Sequence, residues 1–554
     1  AVFGGNDNLA LGALAALKER DIPVPEAVSL VGFDGIEAAL HSTPPLATMK
    51  VSRHRLAEQA VARLVTACTG VAASNLVDHL DSEWIEGGTL AAAPALADDL
   101  RGALTLAYNT NPTLEAARAQ QRAVDTGVPI AKAAALPSLS GTATFTEFAK
   151  LATPNVASPD RSLDASATLG LPLYAGGGIK NSIRAAKTRV EAGRADLRAA
   201  ESGVFSQTVA AYMDVLLAQR VVALNRNQVD VLKVNLQATR DRFEIGDLTR
   251  TDVAQSQARL SLAQGQTRSA EAGLIGARER YIQVVGKEPV DLETPPALPG
   301  LPGSAEEAMQ TALDNNPDLL AARQRSKAAG FDSNAAAAGR LPKVSVFTSG
   351  SYTDYMGTNG GPASNVTKQG FTSATAGVRA TIPLFQGGLP AAQKRQAEAR
   401  ESAVLEQEIG IERQVIAGVR AAYASWRATS EIITTTQAAV DAATLSLEGV
   451  RAENTVGNRT ILDILNAEQE LLGAQVQLET ARRNAYVAGF NLLAAMGKAE
   501  ARDLGLDGGA LYDPVVNYDR VAGNVFDWAN DPAPKPQSTR TVDTKPQDGS
   551  VPGK

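Results

Sequence analysis

The sequence predicts a mainly α-helical chain with a minority of β-strands, preceded by a small α/β segment. Three observations carry this reading. The stretches Gly178 to Gly246 and Leu389 to Gly457 run without proline beyond the first turn and with only scattered glycine, as long helices do. Shorter runs before each stretch alternate polar with apolar or small residues, the period of a strand. The whole plan from about residue 100 onward occurs twice in register.

The register is clearest at two glycines. Gly246-Asp-Leu-Thr-Arg-Thr-Asp252 and Gly457-Asn-Arg-Thr-Ile-Leu-Asp463 lie 211 positions apart. The same offset relates Pro172-Leu-Tyr-Ala-Gly-Gly177 to Pro383-Leu-Phe-Gln-Gly-Gly388, and Val285-Gly286-Lys287 to Met496-Gly497-Lys498. Upstream the offset is 205, from Pro112 to Pro317 and from Leu136-Pro137 to Leu341-Pro342. A six-residue insertion therefore sits in the second copy, between its Leu-Pro and Pro-Leu words.

Each copy opens with a helical pattern, from about Leu100 to Ala135 and from Ala305 to Gly339. Two β-like runs follow, Ser138 to Thr146 and Leu163 to Leu173 in copy one, with Thr372 to Leu384 as a counterpart in copy two. Gly357-Thr-Asn-Gly-Gly-Pro362 reads as a hairpin loop. The long arms come next and would each extend on the order of 100 Å. Apolar residues every seven positions, at Val215, Val222, Val229, Leu236 and Phe243 and again at Trp426, Ile433, Val440 and Leu447, predict helices supercoiling on neighbours. After each glycine turn a further helix runs to Gly286 or Gly497. Two shorter helices placed end to end match one long arm, so the body is a tall helical cylinder. Its β hairpins lie at one end and its two glycine turns near the other.

Composition excludes several functions. The net charge of −7 argues against a general nucleic-acid binder. Cys68 is the one cysteine, and His41, His54 and His79 are the three histidines, so nothing beyond residue 80 can build a His-dependent triad or a His/Cys zinc site. No cofactor or metal is implied, and no catalytic constellation stands out. No apolar run is long enough for a transmembrane helix.

Residues 1–88 have a different character. Asn8 to Arg20 and Arg53 to Ala67 read as amphipathic helices, and Val28 to Asp34 as a buried strand. The words Asn6-Asp-Asn-Leu-Ala-Leu-Gly-Ala13, Val24-Pro-Glu-Ala-Val-Ser-Leu-Val-Gly-Phe-Asp-Gly35 and Thr43-Pro-Pro-Leu-Ala-Thr48 resemble the last part of the effector domain of LacI-type transcriptional regulators. Asp7 matches an effector-contacting position of that family. The DNA-reading helices and most of the effector cleft are missing, which implies a fusion or gene-prediction remnant. In residues 89–97, Ala95-Leu-Ala97 has the small-x-small form of a signal-peptidase site; an Ala-rich linker is the alternative.

The β runs have the length of a tilted membrane-spanning strand. Four strands are too few for a closed barrel, and lipid does not tolerate open edges. Several copies would have to share one barrel, unless the strands form a soluble sheet packed on helices. Residues 98 to about 515 resemble the TolC family of outer-membrane efflux and secretion channels, on Tyr108-Asn-Thr-Asn-Pro-Thr-Leu114, Ala135-Leu-Pro-Ser-Leu139, Leu171-Pro-Leu-Tyr-Ala-Gly-Gly-Gly178, Val456-Gly-Asn-Arg-Thr-Ile-Leu-Asp-Ile-Leu-Asn-Ala-Glu468 and Tyr486-Val-Ala-Gly-Phe-Asn-Leu-Leu493. The resemblance implies two repeats, 98–300 and 301–515, in an α/β-barrel fold. It implies a homotrimer whose twelve strands, four from each protomer, span outer-membrane lipid above a periplasmic helical tunnel. It further implies a periplasmic adaptor and an inner-membrane RND or ABC transporter as partners, with no nucleic acid.

Site residues follow from the same resemblance. Arg459 matches a family arginine that links to the pair matched by Thr251 and Asp252 and so holds the periplasmic tip closed. Asp463 matches an aspartate of the entrance ring, and Asn466 stands where the family has a second one. Asn454 replaces a tyrosine of the link network. On spacing alone, Asp252 and Asp463 also read as acids favouring a helix start. Pro172, Gly176, Gly177, Pro383, Gly387 and Gly388 are expected where strand turns into helix. Residues 516–554 read as a disordered, proline-rich tail. The competing reading of the whole chain is a soluble sugar-responsive regulator with a coiled-coil extension.

Overall fold

The computed structural model describes residues 99–149, 159–359, 368–506 and 511–551, and before them residues 2–3, 7–20, 24, 30–34, 42, 46–51 and 82–85. Residues 1–98 and 99–554 form two compact units. In the first, β1 (Val2–Phe3), β2 (Leu30–Asp34) and β3 (Ala47–Val51) pair in parallel, and β4 (Ser82–Ile85) closes on β3 antiparallel. Helix α1 (Asp7–Lys18) buries Ala10 and Leu14 with Leu30 and Leu46. Asp7 is itself buried and accepts a hydrogen bond from Thr48 Oγ1 at 2.5 Å. The helix expected over Arg53 to Ala67 and the signal-like segment 89–97 lie outside the described residues.

The second unit repeats one plan. Copy one runs α2 (Leu100–Thr110), α3 (Pro112–Asp125), α4 (Gly127–Ala133), β5 (Ser138–Glu147), β6 (Arg161–Ala175), α5 (Gly178–Glu244) and α6 (Arg250–Val285). Copy two runs α7 (Ala305–Asn315), α8 (Pro317–Ala337), β7 (Lys343–Asp354), β8 (Gly370–Thr381), α9 (Leu389–Thr455) and α10 (Ile461–Ala495).

The opening helical pattern breaks at the repeated Asn-Pro word. Proline cannot donate within a helix but suits its first turn. Asn111 therefore ends α2 and caps α3, accepting from Thr113 N at 2.9 Å. Its Nδ2 donates to Val284 O at 2.9 Å, clamping the end of α6. Asn316 repeats both roles, with Nδ2 on Ala495 O at 2.9 Å.

The four strands form one antiparallel sheet in the order β5-β6-β7-β8, and its register sorts most side chains by polarity, although Phe347 and Phe371 fall on the polar face and Thr348, Thr372 and Asp354 on the apolar one. Ser140, Thr142 and Thr144 stand beside Thr168, Ser166 and Asp164, and these beside Ser349, Ser351 and Thr353. Thr142–Ser166 at 2.8 Å, Thr168–Ser349 at 3.1 Å and Thr353–Asp164 at 2.7 Å bond across this polar face. The opposite face carries Leu139, Ala143 and Phe145, then Leu163, Ala165, Ala167, Leu169 and Leu171, then Val346 and Val378. Within the chain, β5 and β8 are edges.

Both long arms form as expected, each a helix of 67 residues, about 100 Å at about 1.5 Å per residue. They differ in cover. Helix α5 buries Val215, Val222, Val229 and Leu236 of its seven-residue stripe, whereas Phe243 is exposed. In α9 only Val415, Val419, Ala443 and Leu447 are buried. The cause is topological: α5 packs against α6, α8, α10 and α3, whereas α9 meets α10, α8 and α7 and leaves its remaining side open.

In the region expected to be a tail, one short helix is followed by coil, turns and bends. Helix α11 (Pro514–Ala522) lies on α3 and α4, with Asn517 Nδ2 on Asp125 Oδ2 at 2.8 Å. Farther on, Arg278 donates to Asp548 O at 2.7 Å and to Ser550 O at 2.8 Å, while Lys545 N donates to Glu288 Oε1 at 2.9 Å. Backbone carbonyls accepting from Nη1 and Nη2 of the nearly buried Arg278 hold this segment along α6.

Candidate functional site

The two helical tips are built alike. At the end of α5, Gly246 takes φ +81, and the N–H of Asp247 reaches back to Arg242 O at 2.9 Å. At the end of α9, Gly457 also takes φ +81, and Asn458 N reaches Glu453 O at 2.9 Å. A left-handed residue here satisfies the last helical carbonyls, and glycine adopts it without a Cβ penalty.

The next helix starts identically in both copies. Thr249 caps α6 and Thr460 caps α10. Asp252 Oδ2 accepts from Thr249 N at 2.8 Å and Oγ1 at 2.7 Å; Asp463 Oδ2 accepts from Thr460 N at 2.9 Å and Oγ1 at 2.7 Å. Each threonine hydroxyl in turn receives its aspartate's N–H at 3.3 Å. These boxes satisfy orphan donors of the first turn. The bonds from Thr249 and Thr460 hold the two carboxyls below the ordinary aspartate value.

The expected link residues have definite partners. Arg459 Nε donates to Glu453 Oε2 at 2.7 Å, across its own glycine turn. Thr251 is exposed beside Asp252 on the other tip. The chain thus does not join Arg459 to Asp252 internally: Glu453 occupies the one and Thr249 the other. Asn454 donates to Arg459 O at 2.7 Å, and Arg242 Nη1 approaches Asn454 Oδ1 at 3.5 Å, a long contact between the tips. Asn466 accepts from Arg259 Nη2 at 2.7 Å, tying α10 to α6.

A deeper junction escapes the sequence reading. Glu468 is 2% exposed. Its Oε1 accepts from Arg451 Nη2 at 3.0 Å and from Asn235 Nδ2 at 2.7 Å, so α5, α9 and α10 meet on one carboxylate. One signal was available: Glu468 falls in the apolar stripe of Ile464, Leu465 and Leu472, where an acid is buried only if paired.

At the opposite end, glycines turn strand into helix. Gly176 and Gly177 take φ +63 and +80, and Gly387 and Gly388 take +60 and +84. A Cβ on Gly176 would stand 2.7 Å from Leu341 Cβ. Pro172 lies at a bulge in β6, and Pro383 follows β8 once the ladder has ended. Among the described residues no cluster of His, Cys, Asp and Glu could hold a metal, and no helix is long and apolar enough to cross a membrane.

A sheet with one mostly apolar and one mostly polar face, carried on helices about 100 Å long that end in paired tips, is the protomer plan expected of an outer-membrane channel. Comparison gives the family. The pattern of the outer membrane efflux protein family matches residues 103–287 and 308–498, one match to each repeat. The outer membrane efflux protein BepC of Brucella suis is 33% identical over 448 residues, covering 80% of this chain and 94% of that protein. Outer membrane protein TolC of Escherichia coli is 28% identical over 323 residues, covering 57% and 66%. Among solved structures, the Campylobacter jejuni CmeC outer membrane channel superposes with a TM-score of 0.64 at 16% identity, over 77% of this chain and 90% of that one. The chain belongs to the outer membrane efflux protein family.

Residues 1–90 match a periplasmic binding protein-like domain. The transcriptional repressor PurR of Pasteurella multocida is 45% identical there over 64 residues, which span 12% of this chain and 19% of that protein.

Proposed function

We propose that three copies of this chain close one twelve-stranded barrel and join their helices into a duct that passes substrates out of the periplasm. The observation that carries it is the sheet: two free edges and an apolar face, which a single chain would expose to lipid. The uncovered side of α9 supports the same assembly, since a neighbouring protomer would bury it. The duct works by geometry and charge and has no enzymatic role. A periplasmic adaptor dock and an inner-membrane RND or ABC transporter complete the route.

The tip is the gate. With Glu453 released, Arg459 takes Thr251 and Asp252 of a neighbouring protomer, and Asp463 with Asn466 forms a ring at the entrance, acidic at one position only. The regulator-like reading has support in residues 1–90 alone. Planar-bilayer recording of the purified full chain tests the proposal: ion conductance that rises in Arg459→Ala supports it, and absence of any conductance overturns it.

A further inference from the structure

Where β6 hands over to α5, a cleft of about 510 Å³ opens between Ala135, the strand end Pro172 to Ala175 and the first turns of α5. Its walls are of two kinds. Leu173, Tyr174, Ile179 and Ile183 are apolar, and the first two are exposed. Lys180, Arg184 and Lys187 are exposed cations, spaced four and three residues apart and therefore neighbours on one helix face. Among the described residues, no carboxylate pairs with any of these three side chains. Arg184 lies 5.9 Å over the ring of Phe331, which leaves its hydrogen-bond donors available.

The strand register fixes which side of the sheet this cleft serves. Leu171 pairs with Val346, and a shift between Pro172 and Tyr174 pairs Tyr174 with Val344. Val344 and Val346 are two apart on β7 and share a face, so the bulge brings Tyr174 into the apolar row with Leu171. Without the extra residue Leu173, Tyr174 would point to the polar face. The bulge thus aims a tyrosine at lipid where the sheet ends, the level at which amphipathic rings settle. The three cations begin six residues later and extend about 10 Å along the helix.

The duplication supplies an internal control. At the equivalent positions copy two has Ala391, Arg395 and Glu398, and Lys394 pairs with Glu398 at 2.9 Å. The shared fold therefore does not require three free cations here.

We propose that this cleft binds an anionic glycerophospholipid of the periplasm-facing leaflet, its phosphate against Lys180, Arg184 and Lys187 and its chains along Leu173 and Tyr174. The assignment rests on the sheet spanning a membrane, and bilayer conductance of the same preparations reports that separately. Each cation near an anionic lipid surface is worth about fivefold in affinity.

The test is native mass spectrometry of the detergent-purified full chain, titrated with phosphatidylglycerol, phosphatidylcholine or inorganic phosphate. Phosphatidylglycerol is expected to bind at least about tenfold more tightly than phosphatidylcholine. The variant Lys180→Ala/Lys187→Glu gives copy one the residues that copy two tolerates, so it is expected to fold and to lose about twentyfold or more of that affinity. A second variant, Lys394→Gln/Arg395→Gln in copy two, is expected to bind as the parent does. Unchanged binding in the first variant, or equal affinity for the two lipids, would overturn the proposal. Displacement of phosphatidylglycerol by millimolar inorganic phosphate would make this a free-anion site and overturn the lipid assignment.

Discussion

Glu468 on α10 and Arg451 on α9 stand 3.0 Å apart across the second tip, and Glu468 is the buried partner. Asn235 of the first long arm shares the same oxygen. Removing one side of such a pair is asymmetric, because a buried carboxylate left alone costs more than a half-exposed guanidinium left alone. Arg451→Ala is expected to destabilise the tip by about 3 kcal/mol, and Glu468→Gln, which keeps an acceptor, by about 1 kcal/mol. Hydrogen exchange of α10 amides checks the order; a larger effect for Glu468→Gln would contradict it.

The two tip glycines give a second contrast. Gly246 and Gly457 need a left-handed backbone, whereas Gly265 lies inside α6 with open space where a Cβ would go. Gly457→Ala is expected to cost about 1 kcal/mol and Gly265→Ala to stabilise by about 0.5–1 kcal/mol. Chemical denaturation reads both signs.

Acid should loosen the tips. Hydrogen bonds from Thr249 and Thr460 lower the pKa of Asp252 and Asp463 from their ordinary 3.8. A depressed folded-state pKa contributes stability that is complete above the unfolded value and is lost as pH falls through the folded one. Protection of the first-turn amides of α6 and α10 is therefore expected to hold above about pH 4 and to fall below it. Thr249→Ala and Thr460→Ala should shrink that pH-dependent loss, because each removes a hydrogen bond that separates the folded pKa from the unfolded one.

Much of this architecture is legible in the sequence, for identifiable reasons. Proline-free length marks α5 and α9, period-two alternation marks the strands, and a glycine followed three residues later by threonine and then by aspartate marks each tip. What the sequence does not reveal is partnership. Arg459 has acids on several sides, and only the turn geometry brings Glu453 to it. Asn466 reads as an entrance residue, but nothing in the sequence announces that Arg259 of α6 bonds to it. The tail is rich in proline and poor in apolar residues, yet Arg278 recognises its backbone carbonyls, which composition does not encode.

The repeat also predicts where protomers of the proposed trimer would meet. Within the chain, a Cβ on Gly178 of α5 would lie 3.1 Å from Ala338 Cβ. The duplication maps Gly178 to Leu389 and Ala338 to Ala133, and Leu389 is exposed in the single chain. If a second copy continues the sheet beyond β8, its Ala133 should meet Leu389 within disulfide range.

The most direct measurement is therefore oxidative cross-linking of Ala133→Cys/Leu389→Cys, in a Cys68→Ser background, read by denaturing electrophoresis. Closure of one barrel by three chains predicts a covalent ladder that ends at the trimer, with each single variant staying monomeric. A ladder that stops at the dimer or runs past the trimer, or monomers alone from the folded double variant, would contradict it.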